Sequence, residues 1–274
     1  MKRVITAAVL VPLVLLLIFK GSFAAVLVAT AVVSGLAAWE LLALAERAGA
    51  HPPRLAVVAA IALLFAAVYF DTELETPALL ALSLALFILC AFRSPLERVL
   101  PDTSSSIFCL IYVGLTLTTI PLLWAEGNGP SLLLFLFCVV WCGDVAALYV
   151  GRAWGRRKLA PRLSPNKTWE GSAASVAGSV LIGVALFWIA RLLQSHSVFA
   201  IDYSGALGRW IVLAILLNIA AQVGDLVESA IKRGSGAKDS GALLPGHGGI
   251  LDRIDALLLA APALWCAQYL QHYF

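Results

Sequence analysis

Charged residues are scarce in this sequence: Asp, Glu, Lys and Arg make up 13% of its 274 residues, where a soluble domain carries about 25%. That shortage excludes an ordinary water-soluble protein. Cysteine chemistry is lacking too. There is no Cys-x-x-Cys pair, and Cys90, Cys109, Cys138, Cys142 and Cys266 all lie inside apolar runs. Cys138 and Cys142, four apart on one helix face and without a nearby histidine, read as small packing residues. Neither a zinc site nor a disulfide framework is implied. The common soluble nucleotide motifs are missing as well. Without G-x-x-x-x-G-K-S/T there is no Walker-type ATPase, and without G-x-G-x-x-G or H-E-x-x-H neither a dinucleotide fold nor a zincin is supported. The chain has no internal repeat, no Pro- or Ser-rich linker and no stretch that reads as a soluble domain.

What is present is apolar sequence in long blocks: 61% of the residues are hydrophobic and the mean hydropathy is +0.94. A membrane-spanning helix needs roughly 20 mostly apolar residues. About nine stretches approach that length, near 4–19, 22–42, 54–70, 76–92, 106–125, 131–150, 172–193, 207–228 and 254–271. The expected fold is therefore all-α, a polytopic membrane bundle of about nine transmembrane helices. The start, MKR followed by VITAAVLVPLVLLLIF, has features of a secretory signal. Gly21-Ser22-Phe23-Ala24 is a poor cleavage site, however, and another apolar span follows at once, so the first span is expected to be retained.

Placing the N-terminus in the cytoplasm and alternating nine spans puts sixteen of the nineteen Lys and Arg residues inside, leaving only Lys20, Arg191 and Arg209 outside. The positive-inside rule selects that orientation. The acidic loop Asp71-Thr72-Glu73-Leu74-Glu75 falls outside, as it should. Both long polar segments, near 151–171 and 229–253, become cytoplasmic, joined by a two-span hairpin. Residues 1–130 then read as N-terminal transmembrane helices and 131–274 as the region that carries chemistry.

The densest polar cluster is SAIKRGSGAKDSGALLPGHGGILDRID, Ser229 to Asp255. Just upstream, Asp225, Glu228, Ser229 and Lys232 follow i, i+3, i+4, i+7 and share one helix face. Asp252 and Asp255, three apart, are expected on one face at the start of the last span. Asp144 is expected about two turns, roughly 10 Å, inside its span. A carboxylate at mid-bilayer costs about 2.5–3.5 kcal/mol, less near the interface, and such residues are functional-site candidates. Interfacial pairing with Lys or Arg is the plain alternative for any one of them; three on three spans near one face weigh against it. Hard carboxylate oxygens with positions left for substrate phosphates suit Mg²⁺, and the surrounding basic residues suit the phosphates themselves. Gly246-His247-Gly248-Gly249 allows close approach of backbone N–H groups to an anion and feeds a helix N-terminus, although glycines there could serve only a turn. The other polar loop adds Arg152, Arg156, Arg157, Lys158 and Arg162, then Ser164-Pro165-Asn166-Lys167-Thr168-Trp169-Glu170-Gly171. Acidic cluster, basic cluster and glycine-rich helix entry together indicate phosphoryl or nucleotidyl transfer.

The run Ser229, Lys232-Arg233, Lys238-Asp239, Pro245, His247-Gly248-Gly249, Asp252-Arg253 and Asp255 resembles the signature of the phosphatidate cytidylyltransferase (CDP-diacylglycerol synthase) family, with every fixed position filled. Asp144, Tyr149, Gly151, Gly155 and Ser164 to Gly171 are also similar to the family pattern. Residues 1–130 resemble it mainly by hydropathy and by the basic start. The resemblance implies CTP and phosphatidic acid as substrates, CDP-diacylglycerol and pyrophosphate as products, and a divalent metal, usually Mg²⁺, with K⁺ beside it. Asp225 and Asp252 match the family's metal-binding aspartates. Lys232, Arg233, Lys238 and Arg253 would cradle the phosphates, and Asp239 and Asp255 would be further ligands or orient the basic side chains. Asp144, Ser164, Lys167, Glu170, Ser229, Gly248 and Gly249 are expected at the substrate, and His247 either contacts phosphate or braces its loop. A homodimer is implied by the family; nucleic acid is not expected as a partner. The topology suits a bacterial cytoplasmic membrane with the active site facing the cytoplasm.

Two other classes remain in view. A CTP-dependent lipid kinase would release CDP in place of pyrophosphate; a CDP-alcohol phosphotransferase would carry a DGxxAR-type motif, and this chain contains no Asp-Gly pair. A transporter or channel would place polar groups near the bilayer midplane, often on broken helices in paired repeats, whereas here they crowd one face.

Overall fold

The computed structural model describes residues 2–241 and 248–271. Pro245, Gly246 and His247 of the signature lie outside the described residues. The elements are α1 (Lys2–Lys20), α2 (Phe23–Arg47), α3 (Arg54–Phe70), α4 (Glu75–Arg93), α5 (Val99–Cys109), a π-helical segment Leu110–Leu115, α6 (Thr116–Ala125), α7 (Gly129–Trp154), β1 (Lys158–Ala160), β2 (Ser164–Thr168), α8 (Trp169–Ser195), α9 (Leu207–Gly234), α10 (Leu251–Ile254) and α11 (Leu257–Gln271). The protein is an all-α membrane protein, with helices at each of the positions where spans are expected. Among the described residues, six helices are long and apolar enough to cross a membrane: Phe23–Arg47, Thr72–Arg93, Leu96–Ala125, Gly129–Trp154, Trp169–Ser195 and Leu207–Gly234. The segments Val11–Lys20 and Arg54–Phe70 are apolar but shorter.

Several boundaries differ from the sequence reading. α7 runs on to Trp154, so Asp144 stands ten residues, about 15 Å along the axis, from its C-terminal end. The expected last span is broken. Asp252 lies in the one-turn α10 and Asp255 in the turn before α11, so the two do not share the face of one helix. Asp255 turns its carboxylate back on the chain, where Oδ1 accepts the Ala256 N–H at 2.8 Å. The fifth helix begins well before the expected residue 106, at Val99, because Asp102 is drawn inside. That carboxylate is 1% exposed and accepts the His51 N–H at 2.6 Å and the Ser94 hydroxyl at 2.5 Å.

The chain forms two compact units that do not follow chain order. One holds residues 1–122 and 230–254, the other 123–229 and 255–274. In the first, α3 packs on α2 and α4 while α5 lies against α4. The π-helical segment crosses α2 closely, with the Ser34 hydroxyl donating to Val113 O at 3.3 Å.

In the second unit α7 and α8 pack along their length, and the polar groups between α7, α8 and α9 are matched donor to acceptor. Asn218 Nδ2 donates to Ser175 Oγ and Ser179 Oγ, each at 2.8 Å. The Ser179 hydroxyl in turn donates to Val139 O at 2.7 Å. Gln222 Nε2 donates to Asn218 Oδ1 at 2.6 Å, and its Oε1 accepts the Ser172 hydroxyl at 2.5 Å. Such matching is required because a buried polar group without a partner costs about 1–3 kcal/mol. The other end of this unit is closed by Phe135, Tyr203 and Trp210, whose ring centroids lie 4.8–5.8 Å apart. Trp210 Nε1 donates to Ser204 O and Tyr203 Oη to Ser131 O; burial pushes the Tyr203 phenol far above its ordinary pKa.

Gly143 is where α7 meets that network. A Cβ there would stand 2.4 Å from Asn218 Nδ2 and 2.6 Å from Ser179 Oγ. Gly143→Ala is therefore expected to destabilise the detergent-solubilised protein by about 1–3 kcal/mol. Adding Asn218→Ala should relieve part of the strain, so thermal melts of the two single variants and the double variant should be non-additive. Strict additivity would refute the contact.

Candidate active site

The second unit contains a cavity of about 640 Å³ whose walls come from α7, the β1–β2 hairpin, α8 and α9. Its polar lining includes Asp144, Arg152, Lys158, Asn166, Lys167, Ser172, Gln222 and Asp225. The hairpin is formed because Pro161 to Leu163 turn the chain, with the Leu163 N–H returning to Ala160 O at 3.1 Å. β1 and β2 then pair antiparallel, Lys158 opposite Thr168 and Ala160 opposite Ser164. Thr168 ends β2 and caps α8, its Oγ1 accepting the Gly171 N–H at 3.1 Å, as Thr does at helix starts.

This register puts Lys167 in the cavity, where Nζ pairs with Asp225 Oδ2 at 2.6 Å. Asp225 Oδ1 accepts the Ser229 hydroxyl at 3.4 Å one helical turn later. Of the residues expected from sequence, the fold thus gathers Asp144, Lys167 and Asp225 around one cavity, with Ser229 bonded to Asp225 beside it. Asp255 belongs to the same unit, and Gly224 lets its backbone approach α9: a Cβ on Gly224 would lie 2.5 Å from Asp255 O. Ser164 sits at the start of β2, away from the cavity lining. Glu170 uses its carboxylate on the chain itself, accepting the Arg156 N–H at 3.1 Å and the Arg157 N–H at 3.2 Å. Ser172 and Gln222 were not singled out from sequence. The available signal was spacing: Gln222 is three before Asp225 on α9.

The first unit holds most of the signature. Lys232 Nζ pairs with Asp252 Oδ1 at 2.6 Å, and these side chains are only 14% and 8% exposed. Asp252 Oδ2 accepts the Ser240 N–H at 3.1 Å, the Ser240 hydroxyl at 3.0 Å and the Gly249 N–H at 2.8 Å. Gly248, at φ +79°, takes a conformation that favours glycine, and a Cβ there would stand 2.6 Å from Asp252 Oδ2. The Gly249 N–H, a candidate anion donor, is directed to Asp252. Arg233 donates to Ala237 O at 3.3 Å, while Lys238, Asp239 and Arg253 are exposed. Glu40 of α2 was missed altogether, although a lone carboxylate inside an apolar span is the signal to look for. Its Oε2 accepts the Ser240 hydroxyl at 3.0 Å and the Leu251 N–H at 2.9 Å.

Comparison with known proteins gives a consistent result. The profile of the cytidylyltransferase family matches residues 1–270. A Brucella suis protein named phosphatidate cytidylyltransferase is 47% identical over 161 residues, covering 57% of this chain and 54% of that protein; the chain thus spans about half the length of that relative. A Staphylococcus saprophyticus protein of the same name is 36% identical over 195 residues, covering 70% and 68%. One from Pseudomonas aeruginosa is 35% identical over 285 residues, covering 97% of each chain.

The bracing position of Glu170 leads to an expectation independent of function. Glu170→Ala should release the Arg156–Arg157 backbone and speed trypsin cleavage after these exposed residues in the folded protein. Unchanged cleavage kinetics would refute the bracing role.

Proposed function

The chain belongs to the cytidylyltransferase family, and from that premise we propose that it is a phosphatidate cytidylyltransferase, converting CTP and phosphatidic acid to CDP-diacylglycerol and pyrophosphate. The observation that carries the reading is that the signature residues engage one another in the fold. Lys232 is held on Asp252, and Asp252 in turn is held by Ser240 and Gly249. The cavity bearing Asp144, Lys167 and Asp225 adds a second group of residues that match the wider family pattern, with room for a polar ligand.

In this reading an oxygen of the lipid phosphate attacks the α-phosphorus of CTP. The new P–O bond forms as the bond to the bridging oxygen of the β-phosphate breaks, and pyrophosphate leaves in line. Reactions of this kind depend mainly on positioning and electrostatic stabilisation. Lys232, Arg233, Lys238 and Arg253 are assigned to the phosphates, and Lys167 to the same work from the hairpin. Asp239 and Asp255 are assigned either as further ligands or as groups that orient the basic side chains. The lipid phosphate is largely ionised at neutral pH, so no protein base is assigned.

The family resemblance also brings a divalent cation, Mg²⁺ with K⁺ beside it, to Asp225 and Asp252, each by its place in the motif. The donors fit: both are hard carboxylate oxygens, and each already holds a cationic ammonium at 2.6 Å. No group of three or more His, Cys, Asp or Glu side chains gathers among the described residues. Phosphates and water would then complete the shell, as is usual for Mg²⁺. When bound, the cation would offset negative charge on the phosphates. The positive-inside charge pattern supports a bacterial cytoplasmic membrane with the reacting face in the cytoplasm, and the family supports a homodimer.

The protein purified in detergent, given phosphatidic acid, Mg²⁺ and α-³²P-labelled CTP, is expected to place label in the lipid phase and to release pyrophosphate. Asp225→Asn and Asp252→Asn should each abolish that turnover while inserting normally in the membrane, and EDTA should do the same to the native protein. Label-free lipid, with a control enzyme active in the same micelles, would refute the activity. Release of CDP in place of pyrophosphate would make the protein a lipid kinase.

A further inference from the structure

Glu40 lies in an apolar helix, 4% exposed, and its Oε1 has no hydrogen-bond partner among the described residues. A hydrocarbon side chain would be less costly in such a place. What the carboxylate does there is set by its other oxygen, which accepts the Ser240 hydroxyl and the Leu251 N–H. The backbone closes around it: a Cβ on Gly241 would lie 2.3 Å from Oε1, and one on Gly249 2.2 Å from Oε2. Both glycines therefore give the carboxylate the space it fills.

Each of these contacts leads to Asp252. Leu251 is its immediate neighbour and the first residue of α10. Ser240 and Gly249 supply the three donors on Asp252 Oδ2. The Ser240 Oγ stands 3.0 Å from Glu40 Oε2 and 3.0 Å from Asp252 Oδ2. A hydroxyl has one proton to donate, so it serves one carboxylate at a time and couples the two. We propose that Glu40 is a positioning residue for Asp252, acting through Ser240 and the start of α10. This rests on the reading that Asp252 belongs to the reacting centre. Glu40 itself is assigned no contact with substrate; its role is to hold the residues that aim the Asp252 carboxylate and, through it, Lys232.

The test uses the full-length protein in detergent, with kcat and KM for CTP measured beside trypsin cleavage after Lys238 in the absence of substrate and metal. Glu40→Ala is expected to lower kcat by about 10–100-fold, the range usual for partners that orient a working carboxylate. KM for CTP should change by less than about threefold, and cleavage after Lys238 should accelerate. Glu40→Gln keeps a carbonyl acceptor and should restore both readouts to near the native values. Ser240→Ala removes the link while leaving Glu40 in place, and should reproduce the kcat loss; combined with Glu40→Gln it should cause no further loss. Native kcat in Ser240→Ala overturns the proposal even where Glu40→Ala fails to fold, and so does native kcat with native cleavage in Glu40→Ala. Should the native protein form no CDP-diacylglycerol, the functional reading fails. The cleavage arm still decides whether Glu40 holds the segment, and equal cleavage in Glu40→Ala and native protein overturns it.

Discussion

A carboxylate placed among apolar helices must find donors or a cation, because neither water nor lipid tails supply them there. That constraint explains more of this molecule than any apolar contact does. Asp102 draws the start of α5 inward and fastens the turn at His51 and Ser94 to it. Glu40 gathers Ser240 and Leu251 from the far end of the sequence. In the other unit Asp225 recruits Lys167 from the hairpin. Apolar helix faces set which helices pack. The carboxylates set where the polar loops come to rest.

The small residues follow from the same requirement. A polar side chain that must reach a partner across a helix interface needs backbone close by, and glycine or serine permits the approach. Gly143 admits α7 to the Ser175–Ser179–Asn218 network, and Gly241 and Gly249 enclose Glu40. The serines there do two things at once: Ser179 accepts from Asn218 and donates to Val139 O. Close packing of small residues, with hydrogen bonds satisfied between helices, is how helices associate where the hydrophobic effect gives little drive.

Much of this was legible in the sequence, and the reason differs by element. The long helices were, since unbroken apolar runs of that length have few alternatives, and the positions of the expected spans match helices throughout. Helix ends were less so. The fifth span was expected to start near residue 106, since its apolar run starts there; the donors from His51 and Ser94 make Asp102 part of a buried helix start. The last span was read as continuous because nothing local marks the turn at Asp255, which depends on its carboxylate bonding to Ala256 N and on Gly224 across the interface. The signature made Lys232 and Asp252 visible, and the i, i+3, i+4, i+7 spacing just ahead of it Asp225. Glu40 and Gln222 were not, since their partners lie 200 and 50 residues away in sequence, and no local pattern records such a pairing.

The charge balance within each unit follows from the same constraint. Lys167 sits on Asp225 and Lys232 on Asp252, one ammonium to one carboxylate in each unit. A site built only of cations would suit a triphosphate better once bound, but in its absence the cations would repel one another beside an apolar interior. A site built only of carboxylates would have the opposite fault. Pairing removes the cost in the resting protein, and in the proposed function each lysine would exchange its carboxylate for a phosphate oxygen. The more buried pair, Lys232 with Asp252, loses most if either partner is left alone. That is where the fold adds Ser240 and Gly249 on the carboxylate and Glu40 behind them. The heaviest scaffolding thus stands behind the more buried of the two pairs.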